Sequence, residues 1–243
     1  MTNIRFSNNG VAGALLGVAM LACAPSALAG ATANVGAFSE YMFRGVGQSS
    51  GAAVQGGLDY AHDSGLYVGT WASNIGFAGS SGSGTEMDLY GGYAGKIGEV
   101  GFDIGGLYYW YPEEDEVDGD FSTFEVYAGL SFGPVAVKYY FSDEANFFLG
   151  DGDAEEAGYL IGTLTLPITD SLNFVSNVGW YSGDEIERFT GDEDSYIDYS
   201  IGLAKTIDGG FTMSLQFIDT DLDVAGVDDE PKVVIGLKKT FEL

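Results

Sequence analysis

The chain has 243 residues, 46% of them hydrophobic and 14% aromatic, and sets 9 Lys and Arg against 36 Asp and Glu for a formal net charge of −27. So acidic a balance excludes a nucleic-acid-binding protein, because phosphate contacts need clustered Lys and Arg. The aromatic content excludes an acidic disordered chain, which cannot bury enough apolar surface to fold.

Taken in chain order, the first element is a leader. Arg5 precedes an apolar stretch, Val11 to Ala24, followed by Pro25 and the small-residue pattern Ala27-Leu28-Ala29. This order predicts a secretory signal cleaved after Ala29, leaving residues 30–243 as one domain. The sole cysteine, Cys23, falls inside the leader, and the Ala-X-Ala site fits better than a lipoprotein reading of Met20-Leu21-Ala22-Cys23. All 36 acids and all the bases except Arg5 lie in the remainder. No later segment has the roughly 20 uninterrupted apolar residues of a spanning helix, so a membrane form of this chain is a β-barrel.

Alternation and turn residues place twelve strands after the leader, near 31–44, 52–61, 65–76, 85–95, 99–111, 121–132, 135–143, 157–166, 171–181, 195–205, 211–219 and 232–243. The connections after even-numbered strands are short and rich in Gly, Pro and Asp: 62–64, 96–98, 133–134, 167–170 and 206–210. Those after odd-numbered strands are mostly longer: 45–51, 77–84, 112–120, 144–156, 182–194 and 220–231. Long loops at one rim and short turns at the other are the mark of an outer-membrane barrel. The fold expected is all-β, a transmembrane antiparallel up-and-down barrel with acidic extracellular loops, both termini periplasmic, in the outer membrane of a Gram-negative bacterium.

The alternation is clearest in Phe124, Val126, Ala128, Leu130 and Phe132, in Val135, Val137, Tyr139 and Phe141, in Ile197, Tyr199, Ile201 and Leu203, and in Phe211, Met213, Leu215 and Phe217. These should face lipid. The last strand keeps period two to Leu243, like a C-terminal assembly signal. Tyr41 and Phe43, Tyr108 to Tyr111, Tyr139 to Phe141, Trp180 and Tyr181 lie where strands meet long loops, the place of an interfacial aromatic girdle. Gly91-Gly92 and Gly105-Gly106 suit either a flat face of a homo-oligomer or barrel curvature.

Ser39-Glu40-Tyr41-Met42-Phe43-Arg44-Gly45, Gly57-Leu58-Asp59-Tyr60, His62-Asp63-Ser64-Gly65, Tyr67 to Asn74 and Asp88-Leu89-Tyr90-Gly91-Gly92-Tyr93 resemble the N-terminal half of the TorF porin family. The likeness is densest over 35–111. It implies an outer-membrane barrel acting as a passive channel, and it supplies no catalytic residues.

Charges in phase with the inward side of each strand are the candidates for a pore lining: Glu40, Arg44, Asp59, Asp88, Asp103, Glu125, Lys138, Asp198 and Lys238. Six acids against three bases predict a channel for small hydrophilic solutes that prefers cations. The competing reading is an internal ion-pair network filling a closed, structural or surface-interaction barrel. The long loops hold most of the remaining acid, suited to loosely held calcium or magnesium, to lipopolysaccharide or to a partner. Asp219, Asp221, Asp223 and Glu230 fall at positions one, three, five and twelve of an EF-hand-like loop, with Val224 where its glycine belongs. No cofactor is implied. The only histidine, His62, stands in a short turn, where it cannot form a triad with its neighbours Asp63 and Ser64, so no enzyme is expected.

Overall fold

A period of two with turn residues between the runs yields strands that pair with their chain neighbours. In the computed structural model, which describes residues 30–76, 83–113, 120–149, 155–191 and 193–243, these are β1 (Gly30–Phe38), β2 (Met42–Phe43), β3 (Val46–Gly47), β4 (Ala53–Ala61), β5 (Leu66–Gly76), β6 (Ser83–Ile97) and β7 (Val100–Trp110). The chain continues through β8 (Thr123–Phe132), β9 (Val135–Ala145), β10 (Glu155–Thr169), β11 (Leu172–Ser182), a short helix α1 (Asp184–Thr190), β12 (Ser195–Ile207), β13 (Phe211–Thr220) and β14 (Lys232–Glu242). The leader, with Cys23 and its Ala27-Leu28-Ala29 site, lies outside the described residues. So do the loop acids Glu114, Asp115, Glu116, Asp118, Asp151, Asp153 and Asp192.

Twelve of these strands close an antiparallel barrel in which β1 pairs with β4 on one side and β14 on the other. Closure leaves no unpaired sheet edge, the condition for a sheet to stand in hydrocarbon. Eleven strands begin and end within three residues of the positions expected from alternation. The first is the exception: it stops at Phe38, not at residue 44.

The outward face is apolar. Leu58, Val68, Leu89, Ile104, Phe124, Val126, Leu130, Val137, Ile201, Leu215 and Ile235 are all exposed, so the sets assigned to lipid point outward. The aromatic girdle needs correcting, because alternation splits it. Tyr108, Trp110, Tyr139 and Trp180 are exposed, whereas Tyr41, Tyr109, Tyr111, Tyr140 and Tyr181 are buried inside. Adjacent residues on a strand point to opposite faces, so a run of aromatics cannot all serve the rim. The paired glycines make room for rings: a Cβ on Gly105 would collide with the Tyr127 hydroxyl, and one on Gly106 would stand 2.9 Å from the Phe124 ring.

The break after Phe38 positions the site. Ser39 keeps the chain on β14 through its backbone N–H to the Ile235 carbonyl and its Oγ to the Ile235 N–H. The chain then turns inward as a small β2–β3 hairpin whose tip, Arg44 and Gly45, has φ of 47° and 85°. Only glycine fits the second position, since a Cβ there would lie 2.9 Å from the Cβ atoms of Asp198 and Thr220. Phe121, Phe147, Phe148, Phe189, Leu222, Val224 and Val227 from other long loops join the same internal cluster. At the long-loop end, α1 seals the packing, with Phe189 stacked on Phe148 at 4.2 Å between ring centroids.

Candidate functional site

The site is the barrel interior, assembled from inward positions of the strands and from the hairpin tip. Arg44 is 3% exposed and grips Glu125 of β8 with its Nη2, 2.7 and 2.8 Å from the two carboxylate oxygens. The Tyr109 hydroxyl donates to the same carboxylate at 3.1 Å. Aromatic rings surround the guanidinium, with the centroids of Tyr159 and Tyr181 at 4.4 Å and that of Phe43 at 4.6 Å. Burial alone would loosen the Arg44 proton, but the Glu125 carboxylate together with Tyr181 and Tyr109 outweighs it and lifts the group above its ordinary range. A charge here is tolerated because it is paired and caged at once.

Three further ties hold the hairpin. Tyr196 donates its hydroxyl to the Arg44 carbonyl at 2.9 Å, the Gly47 N–H bonds the Asp228 carbonyl, and Tyr41 N–H bonds Ser49 Oγ. Glu40 does not line the lumen. It pairs with Lys232 at 3.3 Å near the rim, and burial raises its carboxyl above the ordinary value even though Lys232 acts the other way.

A second pair lies beside the first. Lys138 Nζ stands 2.6 Å from Asp103 Oδ2, both almost fully buried, and the Tyr67 hydroxyl donates to Asp103 Oδ1 at 2.6 Å. Lys138 also sits over the Tyr127 ring at 4.4 Å. Asp198 accepts from Tyr159 at 2.9 Å, and Asp59 accepts from the Tyr90 hydroxyl. Lys238 is inward and half-buried on β14.

Of the nine candidates from the sequence, the fold therefore brings eight inside and leaves Glu40 at the rim. Sequence reasoning missed Glu86, 2% exposed, which accepts from Tyr41 at 2.8 Å and from Tyr111 at 3.4 Å. The signal was there: Glu86 is two residues from Asp88 and shares its phase. It also missed that inward tyrosines supply most of the hydrogen bonds to these acids.

The EF-hand-like reading is not realised as a cage. Asp219 is engaged by the Tyr199 hydroxyl and the Thr220 N–H, and Asp221 by the Ile197 N–H, while Asp223 and Glu230 are exposed. These bonds hold Asp219 and Asp221 to the β12–β13 ladder. Among the described residues, no group of three or more acids, His or Cys is arranged to hold a metal ion. His62 lies in an exposed turn, its ring Nδ1 in hydrogen-bond contact with the Ser64 hydroxyl of that turn at 2.9 Å.

The chain belongs to the Gcw_chp family, described as a bacterial protein of unknown function, whose model matches residues 22–241. No curated protein sequence matches it significantly. Its barrel is similar to that of the NanC porin, with a TM-score of 0.57 at 13% identity over 88% of this chain and 100% of that one. It is also similar to the KdgM porin, with a TM-score of 0.56 at 8% identity over 86% of this chain and 99% of that one. A second KdgM structure, in complex with disordered oligogalacturonate, gives a TM-score of 0.54 at 6% identity over 87% and 99% of the two chains. At these identities the likeness is one of fold.

Proposed function

We propose that this protein is a porin-type channel of a Gram-negative outer membrane, passing small hydrophilic solutes passively, with a preference for cations and a lumen closed at rest by its own first long loop. The observation that supports this most is the interior. A complete barrel with an apolar outside keeps Asp59, Glu86, Asp88, Asp103, Glu125 and Asp198 inside against Arg44, Lys138 and Lys238. A barrel filled only for stability gains nothing from surplus carboxylates, since unpaired buried charge is costly. The same surplus disfavours acidic cargo such as the oligogalacturonate found with KdgM. The fold shared with two porins, the resemblance to the TorF family and the leader expected at residues 1–29 all agree with this compartment and role, and no enzymatic activity is assigned.

One observation favours a second reading. The hairpin and loop aromatics fill the outer half of the barrel, as in a closed barrel that presents acidic loops to divalent ions, lipopolysaccharide or a partner. Planar-bilayer recording across a salt gradient separates the two. The channel reading expects brief cation-selective openings in the native protein and larger, longer ones after Arg44→Ala. A bilayer silent for both proteins, each a folded barrel by heat-modifiable gel mobility, would establish the closed reading.

A further inference from the structure

Bases and acids inside the barrel do not match one for one. Arg44 is committed to Glu125, and Lys138 to Asp103. Glu86 and Asp88, each 2% exposed and two residues apart on the inward face of β6, take part in no ion pair among the described residues. Glu86 receives two tyrosine hydroxyls, but Asp88 Oδ1 is buried with no hydrogen-bond partner.

The neighbours of Asp88 are aromatic. In register it stands opposite Trp71 of β5 on one side and Tyr109 of β7 on the other. Trp71 in turn packs edge-on against Tyr41, the donor to Glu86, at 5.3 Å between centroids. Two buried carboxylates bordered by aromatic residues suit a positive charge: the oxygens supply ligands, and nearby rings add a favourable field. A divalent metal usually takes a larger set of oxygen ligands, and among the described residues no third acid joins this pair in a metal-holding group.

We propose that Glu86 and Asp88 bind one small monovalent cation, sodium, potassium or ammonium, inside the barrel. The site rests on the channel reading for its purpose, as the point where the passage holds its cation, but its chemistry does not depend on conduction.

The test is calorimetric titration of the detergent-solubilised barrel in choline chloride with sodium, potassium, ammonium and calcium chloride. At least one monovalent ion should show a single saturable site, and which one binds identifies the occupant. Asp88→Asn and Glu86→Gln should each weaken it about tenfold or more, the loss expected of a hydrogen bond or ligand to a charged group. Asp223→Asn, in an exposed loop, should leave it unchanged. Heat-modifiable mobility checks that each variant is folded, and either variant alone carries the test.

The site is overturned by a folded native barrel with no saturable binding, by undiminished binding in the folded variants, or by calcium binding tighter than every monovalent ion. Infrared difference spectra give an independent check: a neutral carboxyl stretch that vanishes in Asp88→Asn and ignores added cation would show a protonated pair instead. Binding with a silent bilayer would sink the channel reading and leave the site, whereas conduction without binding would do the reverse.

Discussion

The two walls of the barrel are built from the same alternating strands but carry opposite kinds of polarity. The wall β6–β9 places Glu86, Asp88, Asp103, Glu125 and Lys138 inside, and the hairpin docks its arginine there. The wall β11–β14 is mostly neutral inside: Asn177 bridges Thr163 of β10 and Ser200 of β12 at 2.7 and 2.9 Å, and Ser214 and Gln216 continue the row. Asp198 is the acid near its outer end, and it too is met by a tyrosine hydroxyl. Stability of a neutral row comes from local hydrogen bonds between adjacent strands. The ionic wall pairs Lys138 with Asp103 within itself, but Glu125 depends on a loop from elsewhere in the chain for its opposite charge. On the proposed function, that one segment both braces Glu125 and closes the lumen.

The sharpest way to break the comparison is Arg44→Ala. It strands Glu125 in a buried site, for which the expected loss is about 3–5 kcal/mol, read as a lower urea midpoint for the barrel refolded in vesicles. It should also increase single-channel conductance. If midpoint and conductance both stay put, the hairpin is not the closing element.

Next is Lys138→Met, which leaves Asp103 with only the Tyr67 hydroxyl and should cost about 3 kcal/mol by the same measurement. Adding Asp103→Asn should recover most of it, because a neutral pair carries less desolvation penalty. Gly45→Ala tests the tip itself: a Cβ in a left-handed backbone close to Asp198 and Thr220 should cost about 1–3 kcal/mol and lengthen channel openings.

On the neutral wall, Asn177→Ala should cost about 1 kcal/mol and leave the reversal potential where it was. Asp103→Asn and Glu125→Gln should move it toward zero. Equal shifts from the neutral-wall and ionic-wall variants would erase the distinction. The smallest effect belongs to Asp223→Asn in the exposed β13–β14 loop, expected within about 0.5 kcal/mol of the native stability and without effect on selectivity.

How much of this was legible beforehand can be judged from single residues. Alternation with the apolar residues beside them puts Glu125 and Asp103 inward, and both are buried there. Glu86 shared the phase of Asp88 and was readable by the same rule. Tyr109 and Tyr181 were misplaced at the rim because proximity to a loop was weighed above alternation, and the register assigns them inward. The EF-hand-like spacing of Asp219, Asp221, Asp223 and Glu230 failed as a cage because strand pairing, not a helix-flanked loop, governs where those carboxylates point.

By itself the sequence determined the number of barrel strands, their faces, the sorting of long loops from short turns and the acidic surplus of the interior. All of these follow from a period of two and from turn chemistry, which act over a few residues. Only the tertiary structure decided that the first long loop turns into the lumen, that Arg44 meets Glu125 81 positions away and gives its carbonyl to Tyr196 152 positions away, and that Glu86 and Asp88 have no base paired with them among the described residues. Those choices belong to barrel closure. Closure brings distant strands around one axis, and no local pattern records which charge will stand opposite which.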